Sequence, residues 1–184
     1  GNESEYSDRE TYTREPLDID LTLSRGFSRR LVGQFGLRYK TVRNLNFSPE
    51  SRLRTLSPEL NGGRADYMSI FSNWRFDSRD SFINPSSGLV LQGELEWAPR
   101  SGLGNVDFVR SSFWVQAYTT LFYPKTVLAL RLGGQELFGK DLPVQVLLPI
   151  GGNSSLRGSP QDRYLGKSSV LTNVELRFPV FWRF

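Results

Sequence analysis

Hydrophobic and polar residues alternate with a period of two along most of this chain, which is the pattern of β-strands with one apolar face. The clearest example runs from residue 89 to residue 97. Its apolar positions are Leu89, Leu91, Gly93, Leu95 and Trp97, and its polar positions are Gln92, Glu94 and Glu96. No segment keeps a helical period of 3.6 residues over three turns. We therefore predict an all-β chain.

Seven strands follow from this alternation, and their connections alternate in length. The strands are predicted at residues 17–24, 31–40, 67–76, 89–97, 109–123, 127–134 and 168–184. Residues 1–16 are polar without a period and predict a loop or tail, so the folded region is 17–184. The connections are 25–30, 42–65, 77–88, 99–107, 123–125 and 134–167. Short turns at one end and longer loops at the other are typical of outer-membrane barrels.

Two kinds of sheet protein have strands with one apolar face. In a soluble sandwich the apolar face forms the core, whereas in a membrane barrel it contacts lipid. Aromatic residues lie at predicted strand ends, as in the interfacial girdles of barrels; they are Trp97, Tyr123, Trp182 and Phe184. The polar faces carry charges in mid-strand, which a polar lumen tolerates. We predict an antiparallel transmembrane β-barrel, or a barrel segment, of seven to eight strands with a long inward-folded loop, and keep the soluble sheet as the alternative.

Composition narrows the possible functions. The 23 Lys and Arg residues against 19 Asp and Glu give a net charge of +4, spread along the chain, which argues against nucleic-acid binding. Cysteine and histidine are absent, which removes thiol chemistry, histidine-based triads and most zinc sites. Glu94 and Glu96 share a strand face, but lumen charge explains them better than a glycosidase pair. We predict no enzyme, no cofactor and no metal site.

The region from residue 142 to residue 184 carries the most information. A long hydrophilic connection, within the predicted loop 134–167, contains Gly151, Gly152, Gly158 and Gly166 and the triplet Leu156-Arg157-Gly158. A two-faced strand follows, with Val170, Val174 and Leu176 on one side and Glu175 and Arg177 on the other. A membrane barrel with an ordered inner loop needs this combination of loop and strand.

Three stretches resemble the barrel of the Omp85 superfamily, the outer-membrane protein assembly factors that include the surface antigen D15 proteins. Asp77, Arg79, Asp80, Asn84, Pro85 and Gly88 resemble the family's periplasmic turn motif. Residues 105–110, NVDFVR, resemble a loop-to-strand junction, and residues 143–184 resemble the inner loop with its following strand. In this order and spacing the motifs are specific, and they cover roughly residues 67–184.

The resemblance implies that the inner loop folds into the lumen and that Arg157 pairs there with Glu175. A guanidinium in a confined lumen requires carboxylate partners in fork geometry. The residues alone favour a solvated Arg157 and an ordinary lumen charge at Glu175. Two departures from the family weaken the implied pair. Ser159 stands where the family has an aromatic residue, and the chain ends at Phe184 before the family's F-x-D-x-G motif.

The resemblance also implies a function and a set of partners. The chain is expected in a bacterial-type outer membrane, as the barrel component of a machine for protein assembly or protein transport. Its expected partners are the lipid bilayer, unfolded outer-membrane client proteins, and remaining barrel strands or POTRA modules, but no nucleic acid. A passive pore or structural barrel is the first alternative. A soluble β-domain that binds a ligand or partner is the second.

An odd number of strands raises the question of how a barrel closes, because unpaired backbone groups in lipid cost several kcal/mol each. By the family's strand order, the seven strands correspond to roughly the sixth to twelfth of sixteen. We therefore expect a segment of a larger barrel. A piece that pairs its edges with other chains, and a small barrel with residues 5–16 as an eighth strand, are the alternatives.

Overall fold

Seven antiparallel strands form one continuous sheet in which each strand pairs with the next long strand along the chain. The computed structural model describes residues 13–45, 64–121, 126–152, 155, 158–159 and 164–178. The strands of the main sheet are β1 (Thr13–Gly26), β2 (Leu31–Leu45), β3 (Arg64–Asp77), β4 (Gly88–Ala98), β5 (Phe108–Thr120), β6 (Val127–Phe138) and β9 (Ser168–Arg177). Between β6 and β9 lie a short 3-10 helix (Val144–Val146) and a two-stranded ribbon, β7 (Leu148–Ile150) with β8 (Tyr164–Gly166).

The predicted all-β, antiparallel barrel segment is confirmed. The described part of the sheet is not closed: β1 and β9 are its two edges. The described residues contain no helix with the length and hydrophobicity that a membrane-spanning helix needs.

Several strands extend beyond the bounds that side-chain alternation predicted. β1 begins at Thr13, inside the segment predicted as a loop or tail, because Thr13 to Pro16 continue the ladder opposite β2. β6 continues to Phe138, inside the segment predicted as the inner loop, because residues 135–138 pair with β5. Backbone hydrogen bonds extend a ladder whatever the side chains are, so alternation underestimates the length of these two strands. Of the last predicted strand, 168–184, the structure shows β9 (Ser168–Arg177). Residues 179–184 lie outside the described residues.

The two faces of the sheet differ in chemistry. The outer face exposes large apolar side chains on every main strand, among them Leu21, Phe35, Ile70, Leu95, Phe113, Leu132 and Val174. The outward positions of β4, β5 and β9 carry no Asp, Glu, Lys or Arg among the described residues. No second layer of described residues covers these apolar side chains. Such an exposed apolar face is expected of a membrane barrel and not of a soluble sandwich, whose apolar face is buried.

The opposite, inner face is partly covered by the segment that follows β6. Val146 and Leu148 are buried in one cluster with Tyr67, Phe108 and Leu137 of the sheet, and the rings of Tyr67 and Phe108 meet edge to face at 4.9 Å. Burying an aliphatic side chain of this size contributes about 1.5–3 kcal/mol. The apolar core thus holds part of the long connection against the inner wall of the sheet.

Candidate functional site: the inner wall and the segment packed on it

A fully buried carboxylate, Glu96 of β4, lies at the centre of the inner wall. Its Oε1 is 3.3 Å from Nη1 of Arg38 and its Oε2 is 2.9 Å from Nη1 of Arg110. The hydroxyl of Ser69 donates to Oε1 at 2.7 Å. Strand pairing places these side chains together, because Arg110 of β5 is the direct partner of Glu96. Two guanidiniums and a hydroxyl thus compensate the buried charge, as a buried carboxylate requires.

Arg38 extends the network across the sheet to β1. Its Nε and Nη2 donate to the two oxygens of Asp20 at 3.0 and 3.2 Å, a bidentate geometry. Its guanidinium also lies over the ring of Phe71, 4.7 Å from the centroid. Glu94 is more distant, at 3.9 Å. A continuous ionic path, from Asp20 through Arg38 and Glu96 to Arg110, therefore joins β1, β2, β4 and β5.

Two arginines connect the wall to the segment after β6. Nη2 of Arg110 donates to the carbonyl oxygen of Val146 at 3.1 Å, and Nη2 of Arg14 donates to that of Gln145 at 3.1 Å. Both carbonyls belong to the 3-10 helix. We call residues 143–148 the packed segment. A polar cavity of about 300 Å³ separates it from part of the wall, with Lys40, Glu94 and Gln135 in its lining. The packed segment is therefore held by a few strong contacts.

The structure places some of the predicted inner-loop residues. Glu175 lies on the inner face of β9, opposite Ala129, as its parity predicted. Its side chain is 56% exposed and pairs with Arg177 on the same strand at 2.7 Å. Gly158 is exposed. Leu156 and Arg157 lie outside the described residues, so the pair between Arg157 and Glu175 stays a prediction.

The predicted turn motif lies in the connection between β3 and β4. Nη2 of Arg79 is 2.7 Å from the Asp77 carboxylate. The Asp80 carboxylate accepts hydrogen bonds from the hydroxyl of Ser86 and from two backbone amides, which lower the pKa of Asp80 to about 2.

The other three residues of the motif complete this turn. Gly88 has φ +112°, a backbone conformation that favours glycine. Pro85 is buried. Asn84 is exposed, and its backbone amide donates a hydrogen bond to the Ser81 hydroxyl at 3.3 Å. Most of the motif residues therefore stabilise one ordered turn.

The arginines that hold the packed segment were not identified from the sequence. Glu96 was recognised as a lumen charge, but its partners Arg38 and Arg110 were not. Arg110 lies in the predicted loop-to-strand junction. Asn105 of the same junction forms two hydrogen bonds with β3: its Oδ1 accepts one from the backbone amide of Asp66, and its Nδ2 donates one to the carbonyl oxygen of Arg64, both at 2.9 Å. Opposite charges on the polar faces of neighbouring strands were the available signal.

Comparison with known proteins agrees with this geometry. The Omp85 superfamily domain matches residues 2–184, nearly the whole chain. The chain belongs to the Omp85 superfamily. It is thus part of an outer-membrane β-barrel of the bacterial type, with its apolar outer face toward lipid.

A solved structure shows the same fold at low sequence identity. It is the crystal structure of BamA from Haemophilus ducreyi lacking POTRA domains 1–3, with a TM-score of 0.75 and 17% identity. The match covers 94% of this chain and 39% of the BamA chain, so this Omp85 segment spans well under half of that protein. The comparison with curated proteins found no match.

Proposed function

We propose that this chain is the barrel component of an Omp85 machine that inserts or translocates proteins at the outer membrane. The observation that carries the proposal is Arg110, which bridges the buried Glu96 at 2.9 Å and the packed segment at 3.1 Å. The work is mechanical: the packed segment supports the wall from inside, and incoming strands of unfolded outer-membrane clients pair with barrel edges.

The tip of the inner loop adds a second fastening in this proposal. Arg157, between Leu156 and Gly158, would reach Glu175 on the inner face of β9. The exposure of Glu175 and its contact with Arg177 on the same strand support this, because Arg177 leaves carboxylate lone pairs for another guanidinium. Arg110 and Arg157 would then hold the two halves of one long loop.

The remaining partners follow from the open edges. β1 and β9 each lack a neighbour among the described strands, and unpaired backbone groups in lipid cost several kcal/mol each. We propose that further barrel strands complete the wall and that POTRA modules act with it, as the BamA comparison suggests. The lipid bilayer covers the outer face.

The first prediction concerns Arg110. In Arg110→Gln the packed segment loses its bridge to Glu96, and we expect the segment to separate from the wall more often. Because this chain has no cysteine, Leu147→Cys reports on the segment through its rate of maleimide labelling. Loss of charge-assisted hydrogen bonds of about 1.5–3 kcal/mol predicts labelling roughly tenfold faster or more. Arg100→Gln is the matched control; equal labelling rates in both variants would contradict the role of Arg110.

The second prediction concerns Arg157. Arg157→Ala is expected to lower the rate of client insertion in a reconstituted assembly assay about tenfold, through loss of a charged pair, and to loosen the barrel in a heat-modifiability gel. Arg163→Ala, in the same loop, is the control. Normal client insertion by Arg157→Ala would remove the proposed lock. Ion conductance without any client insertion by the wild-type protein would favour a passive pore instead.

A further inference from the structure

An arginine ends a row of lipid-facing side chains on β1. Leu17, Ile19, Leu21 and Leu23 occupy alternate outward positions and are 53–77% exposed. Arg25 is the next outward residue of the row, opposite Gly33 of β2. A cation facing lipid is costly at mid-membrane and cheap at the interface. Arg25 therefore marks the level at which hydrocarbon gives way to headgroups.

An aromatic group lies at the same level of the outer face. Phe27 stacks on Trp74 with ring centroids 5.4 Å apart, and Phe35 meets Trp74 edge to face at 5.4 Å. Gly33 makes room for them, since a Cβ there would lie 2.9 Å from the Phe27 ring. The Arg25 guanidinium lies over the Phe27 ring at 5.6 Å. Trp is enriched at the membrane–water interface, and outer-membrane barrels carry girdles of aromatic residues there.

The turn from Arg25 to Arg30 concentrates positive charge beside this aromatic group. Its sequence, RGFSRR, has three arginines and no acidic residue. Within the described residues, the guanidiniums of Arg25, Arg29 and Arg30 form no ion pair. The hydroxyl of Ser28 accepts hydrogen bonds from the backbone amides of Arg30 and Leu31 at 3.2 and 3.1 Å, and these bonds stabilise the turn. The three cations are therefore left for an external anion.

We propose that this turn binds the phosphate of an anionic phospholipid. The turn is at the end of the sheet that carries the short connections, which in outer-membrane barrels faces the periplasm; the lipid would belong to that leaflet. Guanidinium groups recognise phosphate oxygens in fork geometry, and the acyl chains would lie along the aromatic group and the β1 row. A neighbouring barrel strand pairs in the plane of the sheet and leaves this outer face to lipid. The inference does not depend on the proposed assembly function.

The experiment is a lipid competition on the natural full-length protein. Native mass spectrometry counts bound phosphatidylglycerol and phosphatidylethanolamine after purification in an equal mixture. We expect the wild-type protein to retain phosphatidylglycerol in roughly tenfold excess, and this excess to fall as salt increases. The variant Arg25→Gln/Arg29→Gln/Arg30→Gln should retain the two lipids about equally. Arg43→Gln/Arg100→Gln/Lys140→Gln removes the same charge from the opposite end of the sheet and should keep the excess.

The outcomes separate lipid from other anions. An unchanged phosphatidylglycerol excess in the triple arginine variant overturns the proposal. Equal retention of the two lipids by the wild-type protein also overturns it, even if the turn binds an acidic protein segment. If the triple variant fails the heat-modifiability test for folding, lipid retention by the single variant Arg25→Gln tests the proposal. This variant removes the lipid-facing cation and should reduce the excess at least threefold; an unreduced excess overturns the proposal.

Discussion

Glu96→Gln is expected to lower the free energy of unfolding by about 3 kcal/mol, because it leaves two guanidiniums without their buried counter-charge. Removing one partner of a buried ion pair costs about 3–5 kcal/mol. The lower end applies here, since Arg38 keeps Asp20 at 3.0 Å and the side chains of Arg38 and Arg110 are 22% and 23% exposed. Urea unfolding in lipid vesicles, followed by tryptophan fluorescence, measures the change.

Glu94→Gln is the matched control for this measurement. Glu94 occupies the same strand face two residues away, but it is 29% exposed and 3.9 Å from Arg38. We expect a change within about 1 kcal/mol, as for solvent-accessible pairs. Equal losses in the two variants would mean that the buried network does not stabilise the wall. A double-mutant cycle with Arg110→Gln should recover part of the cost of Glu96→Gln, because the two side chains are directly coupled.

Gly88→Val is expected to disrupt the turn between β3 and β4. At φ +112° a side chain is strained, and an added Cβ would lie 2.6 Å from the carbonyl oxygen of Ser78 and from Cα of Arg79. Strained backbone of this kind costs about 1–3 kcal/mol, and the backbone contacts add to it. Asp77, Arg79 and Asp80 would lose their arrangement. Protease cleavage between residues 78 and 87 in folded, vesicle-inserted protein measures the loosening.

Gly102→Val provides the comparison for the turn. Gly102 also lies in a connection between strands, but an added Cβ meets nothing within 4 Å. Its cleavage pattern and thermal stability should match the wild-type protein. Resistance of Gly88→Val to cleavage between residues 78 and 87 would show that the turn does not depend on the special backbone conformation of Gly88.

The outer face could be predicted from the sequence because lipid selects residue type directly. Outward positions in hydrocarbon are mostly apolar and carry no charge, so a period of two identifies the exposed face of β4 or β9 without any knowledge of neighbours. The turn between β3 and β4 was accessible for a similar reason. Its glycine, proline and acidic residues act within eleven positions of each other, so local chemistry and the family resemblance were sufficient.

The inner wall could not be predicted to the same extent, because its contacts are between residues far apart in the chain. Arg38 and Glu96 are 58 positions apart, and Arg110 and Val146 are 36 apart. The contact between Arg38 and Glu96 depends on the registers of β2 with β3 and of β3 with β4, and a shift of one residue in either would turn a side chain to the other face. The arginine expected to fasten the loop was Arg157; the arginines observed on the packed segment are Arg110 and Arg14.

The sequence by itself determined that the strands are two-faced, which residues make up the apolar face, and where the ordered turn lies, because each depends on residue type and local spacing. Only the tertiary structure decided that Glu96 is sealed between Arg38 and Arg110 and that residues 143–148 are fastened to the wall. The physical reason is that burial and ion pairing depend on strand register and on the folding of residues 143–148 back onto the sheet. Both bring together charges that are far apart in the sequence.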